Sequence, residues 1–349
     1  MIDVGSSTTK GTLYTKDLCN GKVTVKKEHF NKNYPYQACL SDSTSNRLPR
    51  TCIDGGIQII ESIRNHFKLD CQGNCFAFAT GWARYIENQD EWISRVSKTG
   101  IYPKIVSQEY EGKLKLIALK NEFHKHPFIG FDIGGGSFQL VWEGEDGEIN
   151  HYNSPYGTDN FTHDIQEKLL PERAKRCVKA RHELTLSQVI ENNNADKNVL
   201  SVTKTKAHQA CDTNCIITFD KTRLNDAIAY ADKKIGQPLL ANSSLQKFIK
   251  KTKPVVYADT LLVNLGIKKQ LGLNKEKITL DDIYGIMISV SGMHFLEIQS
   301  KYPALPDICV NTVQSSMLIL YTIMKNLGIN EIHGIETDYM DSFINSQIK

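Results

Sequence analysis

This sequence predicts an α/β protein built from two similar halves, on three observations. One motif occurs twice, as Asp3-Val-Gly-Ser-Ser-Thr8 and as Asp132-Ile-Gly-Gly-Gly-Ser137. Both copies run apolar strand, Asp, apolar residue, Gly, two small residues, hydroxyl, strand. Strand-like runs alternate with segments of helical period along the chain. The 349 residues suit two domains at roughly 100–200 residues each.

The elements follow in order. Met1–Tyr14 reads as strand, tight polar turn, strand, and residues 19–53 as a strand with loops. Asp54 is placed to cap a helix carrying Ile57, Ile60, Ile63 and Phe67 at helical spacing. Phe76–Thr80 reads as a buried strand. Asn88 with Glu91 three residues on has the form of a capping box, opening a helix with Trp92 and Val96. Lys104–Ser107 is a short strand and Tyr110–Asn121 a helix. Phe128–Asp132 and Phe138–Trp142 are strands around the second glycine turn, followed by a hairpin at Glu145-Asp-Gly-Glu148. Residues 162–253 read mainly as helix, with a loop at Asn192–Asp196. A strand or strand-to-helix passage at Val255–Leu265 follows, and then a helix capped by Thr279 that runs to about Met293. The chain closes with a helix over Ser315–Leu327 stopped by Gly328, a strand at Glu331–Ile335 and a last helix at Asp338–Gln347. The domains are set at 1–125 and 126–349, with the last helix able to pack back on the first domain.

Composition narrows the function. Hydrophobic residues make up 40% and charged residues 23% of the chain, which is globular. A net charge of +3 is too small to point to a nucleic-acid binder. The charge is uneven: residues 161–253 hold 17 Lys and Arg against 10 Asp and Glu, which suits either a polyanionic ligand or a solvated helical surface. No apolar run is long enough to span a membrane. No signal peptide is visible, although Met1 falls inside the first strand, as it would if upstream residues were missing. The nine cysteines include two pairs of equal spacing, Cys71/Cys75 and Cys211/Cys215. Their spacing is wide for zinc, leaving free thiols or disulfides of an oxidising compartment. The compartment is left open: cytoplasmic by default, periplasmic or secreted if the cysteines pair.

The repeated motif carries the chemistry. Glycine permits a tight turn and close approach of a phosphate to the backbone, the N–H groups of such a turn form an anion nest, and Ser and Thr hydroxyls add donors. Each Asp ends a strand, placed to hold Mg²⁺ or its waters. Two such hairpins facing each other would grip one phosphate chain. Glu109 and Glu111 are two apart and point different ways on a helix, so one of them faces inward. Trp82 is either a core residue or a platform for a nucleobase. His124 and His126 receive no role. Lys204, Lys206, Lys250, Lys251 and Lys253 are candidates to track a polyanion.

With these residues the chain resembles the actin/sugar-kinase/heat-shock ATPase superfamily, and within it the exopolyphosphatase/guanosine pentaphosphate phosphatase (Ppx/GppA) family. The similarity runs through Asp3–Thr8, Thr80-Gly-Trp-Ala-Arg84, the helix around Trp92, Ser107-Gln-Glu-Tyr-Glu111, Asp132–Ser137, Ser154-Pro-Tyr-Gly157 with Phe161, and the tail with Tyr302-Pro-Ala-Leu-Pro-Asp307. It implies two ribonuclease-H-like (actin-like ATPase) domains with a phosphate-binding cleft between them. It also implies Glu111 as catalytic acid/base and Arg84 in the phosphate channel. The catalytic segments are similar to those of apyrases as well: Tyr110–Asn121 to their catalytic-Glu helix, Gly134–Gln139 to their second loop with a water-orienting Gln, and Gly5–Lys10 to their first. The chain departs from the Ppx/GppA pattern at Gln108, Tyr110 and Gln139, and at Tyr257-Ala-Asp-Thr260, which stands where a Gly-Gly-Thr turn is usual.

The expected activity is therefore metal-dependent phosphoanhydride hydrolysis on inorganic polyphosphate or guanosine pentaphosphate. The alternatives are an apyrase-like nucleoside tri/diphosphate hydrolase and a non-catalytic phosphate-ligand binder. Expected catalytic residues are Glu111, Ser137 and Gln139. Phosphate would be held by Gly5, Ser6, Ser7, Thr8, Lys10, Arg84, Gly134, Gly135 and Gly136. Mg²⁺ or another divalent cation would sit at Asp3 and Asp132. The expected partner is a polyphosphate or nucleotide polyphosphate substrate, with no nucleic acid and no membrane; a homodimer is left open.

Overall fold

The structure is a computed structural model that describes residues 1–17, 24–34, 36–41, 45–71, 75–123, 127–170, 218–260, 277–303, 305, 310–335 and 339–347. The Asn192–Asp196 loop, most of the helical stretch before it, the Cys211/Cys215 pair, His124, His126, Lys204 and Lys206 lie outside the described residues. The chain forms two compact units, the described residues 1–108 and those from 109 onward.

In the first unit, β1 (Ile2–Val4), β2 (Thr8–Asp17) and β3 (Thr24–Asn33) form an antiparallel meander. β4 (Phe76–Ala79) and β5 (Tyr102–Ile105) continue it in parallel, in the order β3-β2-β1-β4-β5. β1 alternates, burying Ile2 and Val4 around a half-buried Asp3, as one strand between two faces must. β4 is buried almost throughout, the mark of a parallel strand covered on both faces.

α1 (Tyr36–Ser41) and α2 (Arg50–His66) follow the meander. α2 begins four residues earlier than Asp54, directly after Pro49, and Asp54 instead takes Arg95 as its ion-pair partner. The helix runs through Gly55-Gly56, and glycine is required at both positions because the rings of Tyr34 and Tyr36 occupy the space where a Cβ would project. Cys39 and Cys52 form a disulfide tying α1 to α2, and Cys71 and Cys75 form a second. In α3 (Gln89–Ser97) the Asn88 side chain does not cap its own helix. It accepts from the Leu48 N–H at 2.9 Å and donates to the Leu48 carbonyl at 3.1 Å, using the long connection as its partner.

The second unit repeats the plan. β6 (Phe128–Ile133), β7 (Phe138–Glu143) and β8 (Ile149–Ser154) form the antiparallel meander, and β9 (Val255–Thr260), β10 (Lys277–Thr279) and β11 (Glu331–Gly334) extend it in the order β10-β11-β9-β6-β7-β8. β6/β9 and β9/β11 are parallel. Strand order and direction in the five shared positions match the first sheet, so each unit is ribonuclease-H-like.

α4 (Gln108–Glu122) and α5 (Thr158–Leu169) flank the site described below. Further on, α6 (Lys221–Ala231) is capped by Asp220 and α7 (Ser243–Thr252) by Asn242. α8 (Leu280–Ser289) starts on a capping box between Thr279 and Asp282. After α9 (Phe295–Lys301), the centre of the core is α10 (Val313–Leu327), buried on nearly every side. It ends at Gly328, whose φ of 66° is one that glycine adopts at least cost. α11 (Tyr339–Gln347) is last. Among the described residues, no helix is long and apolar enough to cross a membrane.

Candidate functional site

The sequence echo is also a structural one. The Gly5 N–H donates to the Thr8 carbonyl at 2.9 Å, and the Gly134 N–H donates to the Ser137 carbonyl at 3.0 Å. The same closed turn joins β1 to β2 and β6 to β7.

The outside of each turn is pinned by other segments. In the second unit the first N–H groups of α5 reach the loop: Thr158 donates to the Gly134 carbonyl at 2.9 Å and Asp159 to the Gly135 carbonyl at 2.8 Å. The Asn160 amide donates to the Gly136 carbonyl at 2.9 Å. Three consecutive carbonyls are thus turned toward α5. In a trans peptide the C=O and the following N–H point opposite ways, and no peptide bond here is cis. The N–H groups of Gly135, Gly136 and Ser137 therefore face away from α5, together, as an anion nest requires. Among the described residues, Gly135 and Gly136 donate to no backbone carbonyl. The first loop is built alike, with the Tyr34 N–H donating to the Ser7 carbonyl and the Gln37 N–H to the Ser6 carbonyl, both at 3.1 Å. That turns the N–H groups of Ser7 and Thr8 the other way.

Within the first unit, Asp3 stands in register with Lys10 across β1 and β2. Lys10 is exposed and Ser6 buried. Arg84 ends a short 3-10 turn (Gly81–Arg84), and its Nε donates to the Val106 carbonyl at 2.8 Å, fixing the guanidinium. Trp82 is core. It is 1% exposed, stacked on Tyr36 with ring centroids 4.0 Å apart, and donates to the Val4 carbonyl at 3.0 Å. It offers no face to a nucleobase.

Within the second unit, α4 brings Glu111 to the sheet. Glu111 is buried and Glu109 exposed, as their spacing requires. Gly112 permits the approach, since a Cβ there would lie 2.8 Å from the Val141 side chain. Gly130 on β6 does the same for Leu119 of the helix. Gln139 stands in register with Asp132 across β6 and β7, is 2% exposed, and donates through Nε2 to Asp132 Oδ2 at 3.3 Å. Ser137 is buried in the turn.

Two residues the sequence reasoning missed complete this cluster. Asp259 on β9 lies in register with Asp132 on β6. Lys115 of α4 bonds Asp259 through Nζ, and Nζ also lies 3.9 Å from Asp132 Oδ1. Its side chain is only 4% exposed. Burial, the largest single influence, opposes its charge. Asp259, Asp132 and Glu111 together outweigh that and raise its pKa above the ordinary lysine value. The available signal was a lysine on the apolar face of α4, four residues after Glu111 and beside Gly112, Leu116 and Leu119. The aspartate in an otherwise apolar strand was the signal for Asp259.

Mg²⁺ was expected at Asp3 and Asp132. Mg²⁺ is usually held by one or two carboxylates together with substrate phosphates. In the second unit both strand carboxylates already face a buried ammonium, and Asp132 also accepts from Gln139. Among the described residues, no three His, Cys, Asp or Glu side chains are grouped to hold a metal ion. The residues around Asp132 do not fit a protein-held divalent cation.

Solved structures with this fold include an exopolyphosphatase-like protein (12% identical, 99% of this chain and 97% of that one covered, TM-score 0.67). They also include an exopolyphosphatase from Cytophaga hutchinsonii (13%, 99% and 96%, 0.65) and a Ppx/GppA family member from Aquifex aeolicus (13%, 99% and 96%, 0.64). No curated protein matches the chain. The family model described as the Ppx/GppA phosphatase family matches residues 39–213, half of the chain and the stretch that carries Arg84, Glu111 and the second glycine loop. The chain belongs to the Ppx/GppA phosphatase family.

Proposed function

We propose that this protein hydrolyses the terminal phosphoanhydride bond of inorganic polyphosphate or guanosine pentaphosphate. The observation that carries this reading is the orientation of the second glycine loop. Its carbonyls are committed to α5 and its N–H groups face away together, in the unit that also buries Glu111.

In this reading the N–H groups of the loops bind phosphate oxygens, and the charge that develops on the transferred phosphoryl group is stabilised by those fixed dipoles. Glu111 accepts the proton of the attacking water, which Ser137 orients. Gln139 acts one step back, holding Asp132 in place. Arg84 and Lys10 offset phosphate charge in the first unit. All of these groups belong to the chain itself.

The names of the solved relatives support polyphosphate as the substrate. The core position of Trp82 removes that residue as a nucleobase platform for an apyrase-like reading. The test is phosphate release measured over long polyphosphate, guanosine pentaphosphate, ATP and ADP. Release from the first two, well above that from ATP and ADP, is expected. Faster release from ATP and ADP would favour the apyrase-like reading. Ligand-induced thermal stabilisation without release from any of the four would mark a non-catalytic binder.

A further inference from the structure

We propose that Lys115 serves the second unit as a built-in cation in place of a divalent metal ion, so that phosphate release proceeds without one. The release arm of this proposal rests on the hydrolase reading above; the metal-binding arm does not.

β6 and β9 run parallel with Asp132 and Asp259 directly in register. Like charges directly opposite one another on neighbouring strands destabilise a sheet, so this pair needs a positive charge between or beside it. The Lys115 ammonium supplies it, bonded to Asp259 and 3.9 Å from Asp132 Oδ1.

The placement of this lysine is built into the packing. It sits on the same helix as Glu111, one turn on. The glycines at 112 and 130 let that helix lie directly on β6 and β7, while Leu116 and Leu119 are fully buried. An ammonium held this way cannot swing out to make room. A divalent cation on Asp132 would stand beside a buried positive charge and compete for an oxygen pair that Lys115 and Gln139 already use. An ammonium also differs from a metal ion in function: it donates hydrogen bonds but does not polarise a bound water as a metal does. Deprotonation of the attacking water then falls to Glu111 alone.

The experiment uses the full chain, freed of metal with EDTA and dialysed. Mn²⁺ is titrated in and followed by electron paramagnetic resonance, and circular dichroism checks the fold of every variant. Wild type should show no saturable Mn²⁺ site that depends on Asp132 or Asp259, so D132N and D259N leave its isotherm unchanged. Lys115→Met should gain one site, lost again in K115M/D259N, while Lys115→Arg, which keeps the charge, gains none. A wild-type Mn²⁺ site abolished by D132N or D259N overturns the proposal, and this arm stands even if K115M does not fold. In parallel, phosphate release from long polyphosphate should be the same in EDTA as in Mg²⁺. Release that stops in EDTA and returns with Mg²⁺ overturns the proposal and leaves the hydrolase reading standing. Absence of release in both conditions overturns the hydrolase reading, and the Mn²⁺ titration then decides the role of Lys115 alone.

Discussion

Gly157 lies so close to Ser137 that a Cβ at position 157 would stand 2.4 Å from the Ser137 nitrogen and 2.5 Å from the Gly134 oxygen. The backbone at Gly157 is extended, with φ −121° and ψ −172°, open to any residue. The requirement for glycine is therefore one of space. Gly157 precedes α5, and the loop can hand its carbonyls to the first turn of α5 only because nothing projects there. Gly157→Ala should destabilise the protein by about 1–3 kcal/mol, as overpacking does, and should lower phosphate release more than stability alone explains. Denaturant unfolding alongside a release assay checks this. A variant with wild-type stability and activity would show that α5 does not hold the loop.

Glu111 is the buried carboxylate of α4, and the loss of a general base costs typically 10²–10⁴-fold in rate. Glu111→Gln should lower turnover by roughly that range while leaving substrate affinity near wild type, because the glutamine keeps the shape of the side chain. Turnover and binding measured on the same preparation separate the two effects. Equal losses in both would mark Glu111 as a structural residue.

Much of this fold was readable from local pattern. The loops repeated in sequence close on the same hydrogen bond in both units, and the element ends with strong signals fall where those signals place them: α8 begins after Thr279 and α10 ends at Gly328. Where the reading failed, a distant partner decided the outcome. Asp54 reads as the cap of α2, but the helix begins at Arg50 and passes through Gly55-Gly56, where two tyrosines from another segment fill the space a Cβ would take. Asn88 has the spacing of a capping box, yet Leu48 uses both ends of its side chain. Lys115 reads as one more lysine on a helix. Its role depends on the register between β6 and β9, which no local period encodes. Ser154-Pro-Tyr-Gly157 was visible as a motif, but its task of clearing space for the glycine loop emerges only from the packing.

The cysteines make a prediction about chemistry and stability together. Cys39–Cys52 and Cys71–Cys75 are paired, so intact-mass analysis without reductant should show the protein lighter by at least four hydrogens. Disulfides of this kind persist in oxidising surroundings. The Cys39–Cys52 bridge closes a separation of 13 residues, and chain entropy alone assigns such a loop about 3 kcal/mol. The Cys71–Cys75 bridge, with a separation of 4, is assigned about 2 kcal/mol on the same scale. Replacing Cys39 and Cys52 by Ser should therefore lower stability more than replacing Cys71 and Cys75. Nine free thiols in the unreduced native protein would overturn the pairing.

Substrate length can be tested through the basic end of α7. Lys250 and Lys251 fall in its last turn, and Lys253 follows as its C-cap. Lys251 already has an exposed partner, Glu145, at 2.5 Å, and exposed pairs of this kind contribute little, so a polyanion can displace it. If these lysines meet phosphates beyond the reacting ones, affinity for long polyphosphate should fall steeply with salt through the release of bound counterions. Affinity for ATP, with three phosphates, should fall less. The triple variant Lys250→Ala, Lys251→Ala, Lys253→Ala should then weaken long-chain binding and flatten its salt dependence, with ATP affinity unchanged. Equal salt slopes for the two ligands in wild type would show that a long chain makes no phosphate contacts beyond those of ATP, and would reject the polyphosphate reading; an unaltered slope in the triple variant would place the long-chain contacts elsewhere on the protein.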